Sequence, residues 1–174
     1  MNRVDQKARV ADLVRRTQEG DVESFNELFR ETHKLARKVA HTVLRPEQVD
    51  DAVQESYLLV YQKLPQLREP EAFLGWLSRL VLHTCYRFQR KEREEVPLPE
   101  QELPAPDTTE RALTTLHLRQ ALSRLKQDDR NLLMLRELLS LSYEEVAYAL
   151  SIPIGTVKSR LNKARKKLKQ RLQL

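Results

Sequence analysis

Glycine is scarce in this sequence, with three residues in 174, and that scarcity excludes the glycine-rich loops that cradle phosphates in many enzymes. Cysteine is scarcer still: the single Cys85 excludes an internal disulfide and fits a reducing compartment. The sequence contains no run of about 18 apolar residues, and its polar N terminus does not resemble a signal peptide. We therefore expect a soluble, cytoplasmic protein without a membrane-spanning helix.

Residues typical of catalytic or metal sites are equally sparse. The four histidines, His33, His41, His83 and His117, lie apart, and none pairs with another at the i, i+4 spacing of a helical metal site. His83 and Cys85 are two positions apart, so on a helix they do not face each other. We expect no enzyme activity, no metal and no cofactor.

The residues that are present predict an all-α fold. The sequence is 40% apolar and has few β-branched runs, and apolar residues recur at spacings of three and four. Four amphipathic helices are predicted at 4–19, 21–44, 46–64 and 72–91, with Gly20 capping the first and Asp21 starting the second. Short connections between these helices predict a compact bundle over residues 1–91.

The composition changes after residue 91. Residues 92–110 contain seven acids, one base and four of the eight prolines, without a helical period. Proline favours extended backbone, so this segment is predicted to be a flexible acidic linker. Its acidity leaves two roles open, a solvated tether or a segment that contacts a basic channel. Helical periodicity returns from residue 111, where a leucine-rich stretch predicts a second small helical domain over 111–174.

The end of the chain predicts a helix-turn-helix. Ser142 and Glu145 form a capping-box pattern at the start of one helix, and Pro153 marks the first turn of the next. That second helix has a predicted buried stripe, Val157, Leu161, Ala164, Leu168 and Leu172. Its other faces bear eight cations, and no acid occurs from residue 155 to 174. A solvated C-terminal helix would explain a charge run, but the unbalanced sign favours a recognition helix for DNA.

Several stretches resemble the extracytoplasmic-function (ECF) sigma factors of the sigma-70 family. Residues 152–168, IPIGTVKSRLNKARKKL, resemble their promoter-reading helix in region 4, and LSYEEVAYAL and LKQDDRNLLMLRELL resemble the rest of that region. Residues 49–64, VDDAVQESYLLVYQKL, are similar to the region 2 helix that docks on core RNA polymerase. Residues 71–91, EAFLGWLSRLVLHTCYRFQRK, are similar to the adjoining loop and helix that open the −10 element.

The resemblance implies functional roles for region 2. The polymerase-binding residues would be Asp50, Asp51, Gln54 and Glu55. Complementary charge between this acidic helix and a basic coiled coil would provide specificity. Recognition and melting of the −10 element would involve Phe73, Arg79, His83, Arg87 and Arg90, with Lys91 close by. Ring faces for stacking and cations for phosphates suit single-stranded DNA. Trp76 is expected in the core.

The resemblance also assigns the −35 contacts of region 4. The residues expected to read double-stranded DNA are Lys158, Ser159, Arg160, Asn162, Lys163 and Lys166. Long cations reach guanine edges or phosphates, and asparagine can read adenine. The remaining cations, Arg165, Lys167, Lys169 and Arg171, are expected to clamp phosphates or face the polymerase.

The family also implies a regulator and leaves alternatives open. An anti-sigma protein is expected to hold the factor inactive, and stress or envelope-response promoters are the expected targets. At His83 the family more often has asparagine, so the −10 preference is expected to be unusual. The main alternative is a polymerase-independent helix-turn-helix regulator. A helical scaffold with a basic tail is a third possibility, which would bind nucleic acid without sequence preference.

Overall fold

A computed structural model of the chain describes residues 3–95, 117–118 and 120–172. The first part contains four helices, α1 (Arg3–Gln18), α2 (Val22–His41), α3 (Pro46–Lys63) and α4 (Phe73–Glu95). Two single 3₁₀ turns, Leu64–Gln66 and Pro70–Ala72, form most of the connection between α3 and α4. The predicted helices are all present, but α4 continues past residue 91 into the segment that was predicted to be linker. No strand occurs within the described ranges, so the observed architecture is all-α.

The start of α2 shows how local sequence sets the helix boundaries. Gly20 has a φ of 98°, a left-handed conformation that glycine adopts without strain, and it ends the turn after α1. Asp21 then caps α2 by accepting hydrogen bonds from the backbone N–H groups of Glu23 and Ser24 at 3.1 and 3.2 Å. Hydrogen bonds from the Ser24 hydroxyl and the Ser24 amide lower the pKa of Asp21 to about 2, and a hydrogen bond from Arg16 makes a smaller contribution. Asp21 is therefore ionised at neutral pH and stabilises the positive end of the helix.

Three further helices in the second part of the chain have both ends within the described residues. α5 (Gln127–Leu133) continues directly into a π-helical turn, Met134–Leu138. α6 (Tyr143–Leu150) and α7 (Ile154–Leu172) follow. Residues 120–123 are also helical.

Most of the predicted apolar platform beneath the helix-turn-helix is buried. Ala121, Leu125, Leu132, Leu133 and Leu135 are all at most 4% exposed. Leu138 differs from the prediction, with 60% of its surface exposed, because the wider π turn shifts it off the face that a regular α-helix would bury. Leu118 is also 40% exposed. The predicted platform residues Leu113 and Leu116 lie outside the described residues.

The helix-turn-helix has the predicted capping box. The Ser142 hydroxyl accepts a hydrogen bond from the Glu145 amide at 3.1 Å, and the Ser142 amide donates to the Glu145 carboxylate at 2.7 Å. At the other end of α6, Ser151 adopts a left-handed φ of 55°, and the Ile152 amide donates to the Ala147 carbonyl at 3.1 Å. This 6→1 hydrogen bond is a Schellman cap. It turns the chain sharply, and α7 begins one residue after Pro153.

The two halves of the chain pack directly against each other. α4 from the first half contacts α6 from the second more extensively than it contacts any other helix. As a result, one continuous apolar core contains residues from both halves, including Val81 of α4 and Val146 of α6. The sequence predicts two domains joined by a tether and is silent about their placement, which the structure supplies. Within the described residues, no helix is both long and apolar enough to cross a membrane.

Candidate nucleic-acid interface

The recognition helix α7 has one buried face and one exposed cationic face. Val157, Leu161 and Ala164 are at most 1% exposed and pack on the core. The predicted stripe weakens toward the C terminus, where Leu168 is half-buried and Leu172 is 48% exposed. At 100° per residue, the positions opposite the buried stripe are Ser159, Asn162, Lys163 and Lys166. All six predicted −35 residues are exposed: Lys158, Ser159, Arg160, Asn162, Lys163 and Lys166.

Two other cations of α7 are paired with acids of the same half of the chain. The Arg165 guanidinium donates from Nε to a Glu137 carboxylate oxygen at 2.9 Å, and a second nitrogen contacts the same oxygen. The Lys167 ammonium lies 2.6 Å from Asp129, whose side chain is only 14% exposed. These pairs flank the buried stripe on its two sides. Both cations are about half exposed, so solvent screens the pairs and their contribution to stability is small. A phosphate contact by Arg165 or Lys167 would replace the acidic partner.

Tyr143 connects the two helices of the motif. Two cations lie over its ring: the Arg136 guanidinium is 4.7 Å from the ring centroid, and the Lys158 ammonium is 5.7 Å from it. Arg136 also donates to the Leu141 carbonyl at 2.7 Å. Contact with the ring's negative face orients Lys158 beside the start of α6.

Three arginines and a histidine lie on one face of α4. Arg79, His83, Arg87 and Arg90 are spaced by four, four and three residues, so they share one side of the helix. We call these four residues the α4 strip. His83 is exposed, and its pKa is lowered by partial burial and then by the nearby charges of Arg79 and Lys63. The imidazole is therefore neutral at pH 7, and the strip's positive charge comes from its arginines.

Phe73 does not accompany the α4 strip at the surface. Its side chain is 0% exposed and is among the largest fully buried side chains of the protein. The ring instead contacts Trp76, with 5.8 Å between centroids. In this arrangement Phe73 cannot stack on a DNA base, contrary to the expectation from sequence. Trp76 is half-buried and packs against the core, as expected.

The predicted acidic residues all lie on α3 and reach solvent to different degrees. Asp51 and Gln54 are exposed, and no partner for either occurs among the described residues. Asp50 accepts a hydrogen bond from Arg37 of α2, and Glu55 pairs with Arg87 of the α4 strip. We call Asp50, Asp51, Gln54 and Glu55 the acidic face. Part of its charge is thus neutralised within the chain.

An apolar surface continues the acidic face and was missed from sequence. Leu58 is 65% exposed and Tyr61 62% exposed, and both follow Gln54 along the same side of α3. The Tyr61 ring meets the Phe25 ring of α2 edge-on at 5.3 Å between centroids. Phe29, 40% exposed, contacts Tyr57 similarly at 4.7 Å. The sequence did contain a signal for this surface. Leu58 and Tyr61 lie four and seven residues after Gln54, which places two apolar residues on the polar side of an amphipathic helix.

The described part of the chain contains no candidate metal site. Among those residues, His, Cys, Asp and Glu side chains nowhere cluster in a way that could hold a metal ion. Burial raises the pKa of the Cys85 thiol to about 12, so it stays protonated at neutral pH. The exposed chemistry consists of the recognition helix, the α4 strip and the acidic face.

Family comparisons match both halves of the chain. The sigma-70 region 2 family model matches residues 28–95, and the sigma-70 region 4 model matches residues 115–168. The ECF RNA polymerase sigma-E factor of Escherichia coli (strain K12) is 34% identical over 92% of this chain and 93% of its own length. The protein of the same name from Salmonella typhi is 35% identical over the same shares.

A solved structure has the same fold. The sigma factor RpoE of Bartonella quintana, crystallised with the anti-sigma factor NepR, superposes with a TM-score of 0.71. The match covers 88% of this chain and 99% of that chain at 23% sequence identity. At that identity, the superposition supports the fold alone.

Proposed function

This chain belongs to the sigma-70 family, in its extracytoplasmic-function group, and on that premise we propose that it binds core RNA polymerase and directs it to specific promoters. Members of the family are transcription initiation factors and not enzymes. The proposed promoters have a −35 element read as duplex and a −10 element that is melted. We place the protein in the cytoplasm, where it would serve a stress or envelope response.

The main support for this proposal is that one exposed surface, on α7, is cationic and another, on α3, is acidic. The exposed side of α7 presents Lys163 and Lys166 around Asn162, without an acid on the helix. Such a helix suits the major groove, where long cations reach guanine and asparagine reads adenine. The acidic face and the exposed Leu58 and Tyr61 lie instead on α3. A surface with acids at one end and apolar groups at the other suits a basic, amphipathic protein helix rather than DNA.

The α4 strip would bind the melted strand of the −10 element. Its arginines supply cations for phosphates, and the exposed His83 supplies a ring that can stack on a base. Because Phe73 is buried, we assign the base contact to His83 rather than to that ring.

We also propose that an anti-sigma protein regulates this chain. The Bartonella quintana relative was crystallised with such a protein, NepR. A surface such as the exposed part of α3 is a suitable site, since a regulator bound there would exclude the polymerase.

The test is co-elution of the purified chain with bacterial core RNA polymerase, followed by sequencing of open complexes on genomic DNA. We expect stoichiometric co-elution and new transcription starts that share −35 and −10 elements. A footprint on a palindrome without polymerase would instead establish an independent regulator. Binding to DNA without sequence preference would contradict both the sigma-factor function and the independent-regulator function.

A further inference from the structure

The outer face of α2 bears basic side chains that lie outside the acidic face, the α4 strip and the recognition helix. Five exposed residues share this side of the helix at spacings of three and four: Arg30, Lys34, Arg37, Lys38 and His41. We call these five residues the α2 strip.

The positive charge of the α2 strip is largely uncompensated. No aspartate or glutamate occurs from residue 32 to residue 46. Within the described ranges, neither Lys34 nor Lys38 has a partner. Arg30 and Arg37 each pair with one acid, but at least 45% of every side chain in these two pairs is exposed. Solvent therefore weakens both pairs, and a phosphate could replace either carboxylate.

Helix electrostatics accounts for only part of this charge. The macrodipole stabilises cations in the last turn of a helix, and the last turn of α2 contains Lys38 and His41. Lys34 lies one turn earlier and Arg30 two turns earlier, where the effect of the dipole has faded. The positions of these two cations therefore point to an anionic partner rather than to the stability of α2.

The α2 strip lacks the apolar groups that a protein or a membrane would require. No large apolar side chain is exposed from residue 30 to residue 45. A protein interface buries an apolar core, and a helix that lies on a membrane inserts an apolar face. His41 has the one exposed ring of this range, whereas a single strand stacks successive bases on several rings. What remains is a row of cations suited to the phosphates of a duplex.

The length of the α2 strip also suits a DNA backbone. From residue 30 to residue 41, the helix rises about 16 Å at about 1.5 Å per residue. One strand of B-DNA carries a phosphate for about every 3.4 Å of helix axis, so this length spans roughly five phosphates. Lysine and arginine side chains one turn apart can therefore contact several phosphates of one strand.

The α2 strip and the α4 strip belong to different sides of the bundle. The Gln89 side-chain amide of α4 donates to the Val43 carbonyl, just after the end of α2, at 2.8 Å. Gln89 is about 200° around the helix from Arg87 of the α4 strip, at about 100° per residue. α2 therefore packs against the side of α4 that faces away from the α4 strip. A duplex on the α2 strip would leave the proposed site of the melted strand free.

We propose that the α2 strip is a phosphate-binding surface for duplex DNA, separate from the recognition helix and from the α4 strip. It holds the duplex by charge and reads no base, because phosphate contacts carry no sequence information. This inference goes beyond the proposed function and requires neither polymerase nor a promoter sequence. It can therefore be tested on the chain alone.

The main test follows the backbone amide NMR signals of the full chain during titration with a short duplex of arbitrary sequence. Signals resolved by residue separate binding at α2 from binding at the recognition helix. We expect the signals of residues 30–41 to shift and to saturate. Shifts in α7 without any shift in α2 would overturn the proposal.

Three double variants test the role of charge in this binding. Lys34→Gln, Lys38→Gln removes two cations and retains good helix formers. Lys34→Arg, Lys38→Arg keeps both charges. Arg9→Gln, Arg15→Gln is the control for net charge, because these exposed arginines of α1 are paired with acids and lie off the strip.

The number of phosphate contacts is measured by the Kd from the α2 signals at several salt concentrations. Each contact that is lost lowers the slope of log affinity against log salt concentration by about 0.9, so the glutamine variant should lower it by about 1.8. The arginine variant and the control should keep the slope of the parent. An unchanged slope in the glutamine variant would overturn the proposal.

Two other results would assign the strip to a different partner and so overturn the proposal. Shifts in α2 as large with a single strand as with the duplex would indicate single-stranded nucleic acid. Weaker binding of the glutamine variant to core RNA polymerase, without a response of α2 to the duplex, would indicate an acidic protein surface. Failure of the parent chain to bind polymerase would overturn the proposed function alone.

Discussion

Arg87 of α4 forms an ion pair with Glu55 of α3, which joins a residue assigned to DNA to a residue assigned to polymerase. The two side chains are 52% and 38% exposed, so solvent screens the pair and its contribution to stability is small. Binding of Glu55 to a basic partner surface would release the Arg87 guanidinium toward the melted strand. The two proposed interfaces are therefore adjacent and share a charge.

The first prediction concerns the acidic face. The double charge reversal Asp51→Lys, Glu55→Lys should raise the Kd for core RNA polymerase by on the order of tenfold, about 1.4 kcal/mol, because two attractive charges become repulsive. A competition binding assay measures this change. The double variant Asp12→Lys, Glu19→Lys changes two exposed acids on another part of the bundle and is the control for net charge. Equal affinities for the double variant and the parent would remove α3 from the polymerase interface.

The second prediction separates cations within α7. If Lys163 reads a base, Lys163→Ala should weaken the free energy of promoter binding by about 1–3 kcal/mol. If Lys163 contacts a phosphate, the substitution should reduce the slope of log affinity against log salt concentration by about one. Lys167→Ala is the matched control, since that ammonium is already paired with Asp129. Transcription from the cognate promoter at several salt concentrations provides the readout. If the two variants lose the same amount of transcription, α7 contributes only positive charge to promoter binding and Lys163 has no specific contact.

The third prediction concerns pH. The pKa of His83 is lowered mainly by burial, so the unbound imidazole is neutral at pH 7. Phosphates placed beside it would raise that pKa, and binding would then take up a proton as the pH falls. Affinity of the polymerase complex for a single-stranded −10 oligonucleotide should therefore increase toward acidic pH.

The matched variant for this measurement is His83→Asn, which cannot be protonated. We expect its affinity to vary less with pH than that of the parent. Identical pH profiles for the two proteins would indicate that His83 lies away from the DNA backbone.

The fourth prediction concerns the capping box. Ser142→Ala removes the acceptor for the Glu145 amide and should cost about 1 kcal/mol of unfolding free energy. For a chain of this size, that corresponds to a decrease in Tm of roughly 2–4 °C. Thermal unfolding followed by circular dichroism measures it. The control is Ser123→Ala, which removes an exposed hydroxyl that donates to the Gln120 carbonyl. Its Tm should lie within about a degree of that of the parent.

Local sequence rules located most elements of the fold. The capping residues Asp21 and Ser142 were identified correctly because an N-cap depends on residues within three positions. Leu138 was placed incorrectly because a π turn shifts the helical phase, and no local pattern signals that turn. Phe73 was assigned to DNA by resemblance, and its burial depends on how α4 packs on the rest of the bundle.

The sequence by itself determined that this protein is all-α, that it ends in a cationic recognition helix and that it has the two regions of an ECF sigma factor. The first two properties follow from periodicity, capping and charge, which act over a few residues along the chain. The two sigma regions follow from the resemblance of residues 49–64, 71–91 and 152–168 to that family. Only the tertiary structure decided which charges are already paired, as with Arg165 and Glu137, and where the two halves meet. The contact of Gly75 with Glu145 joins residues 70 positions apart, and its closeness depends on helix packing that no local pattern encodes.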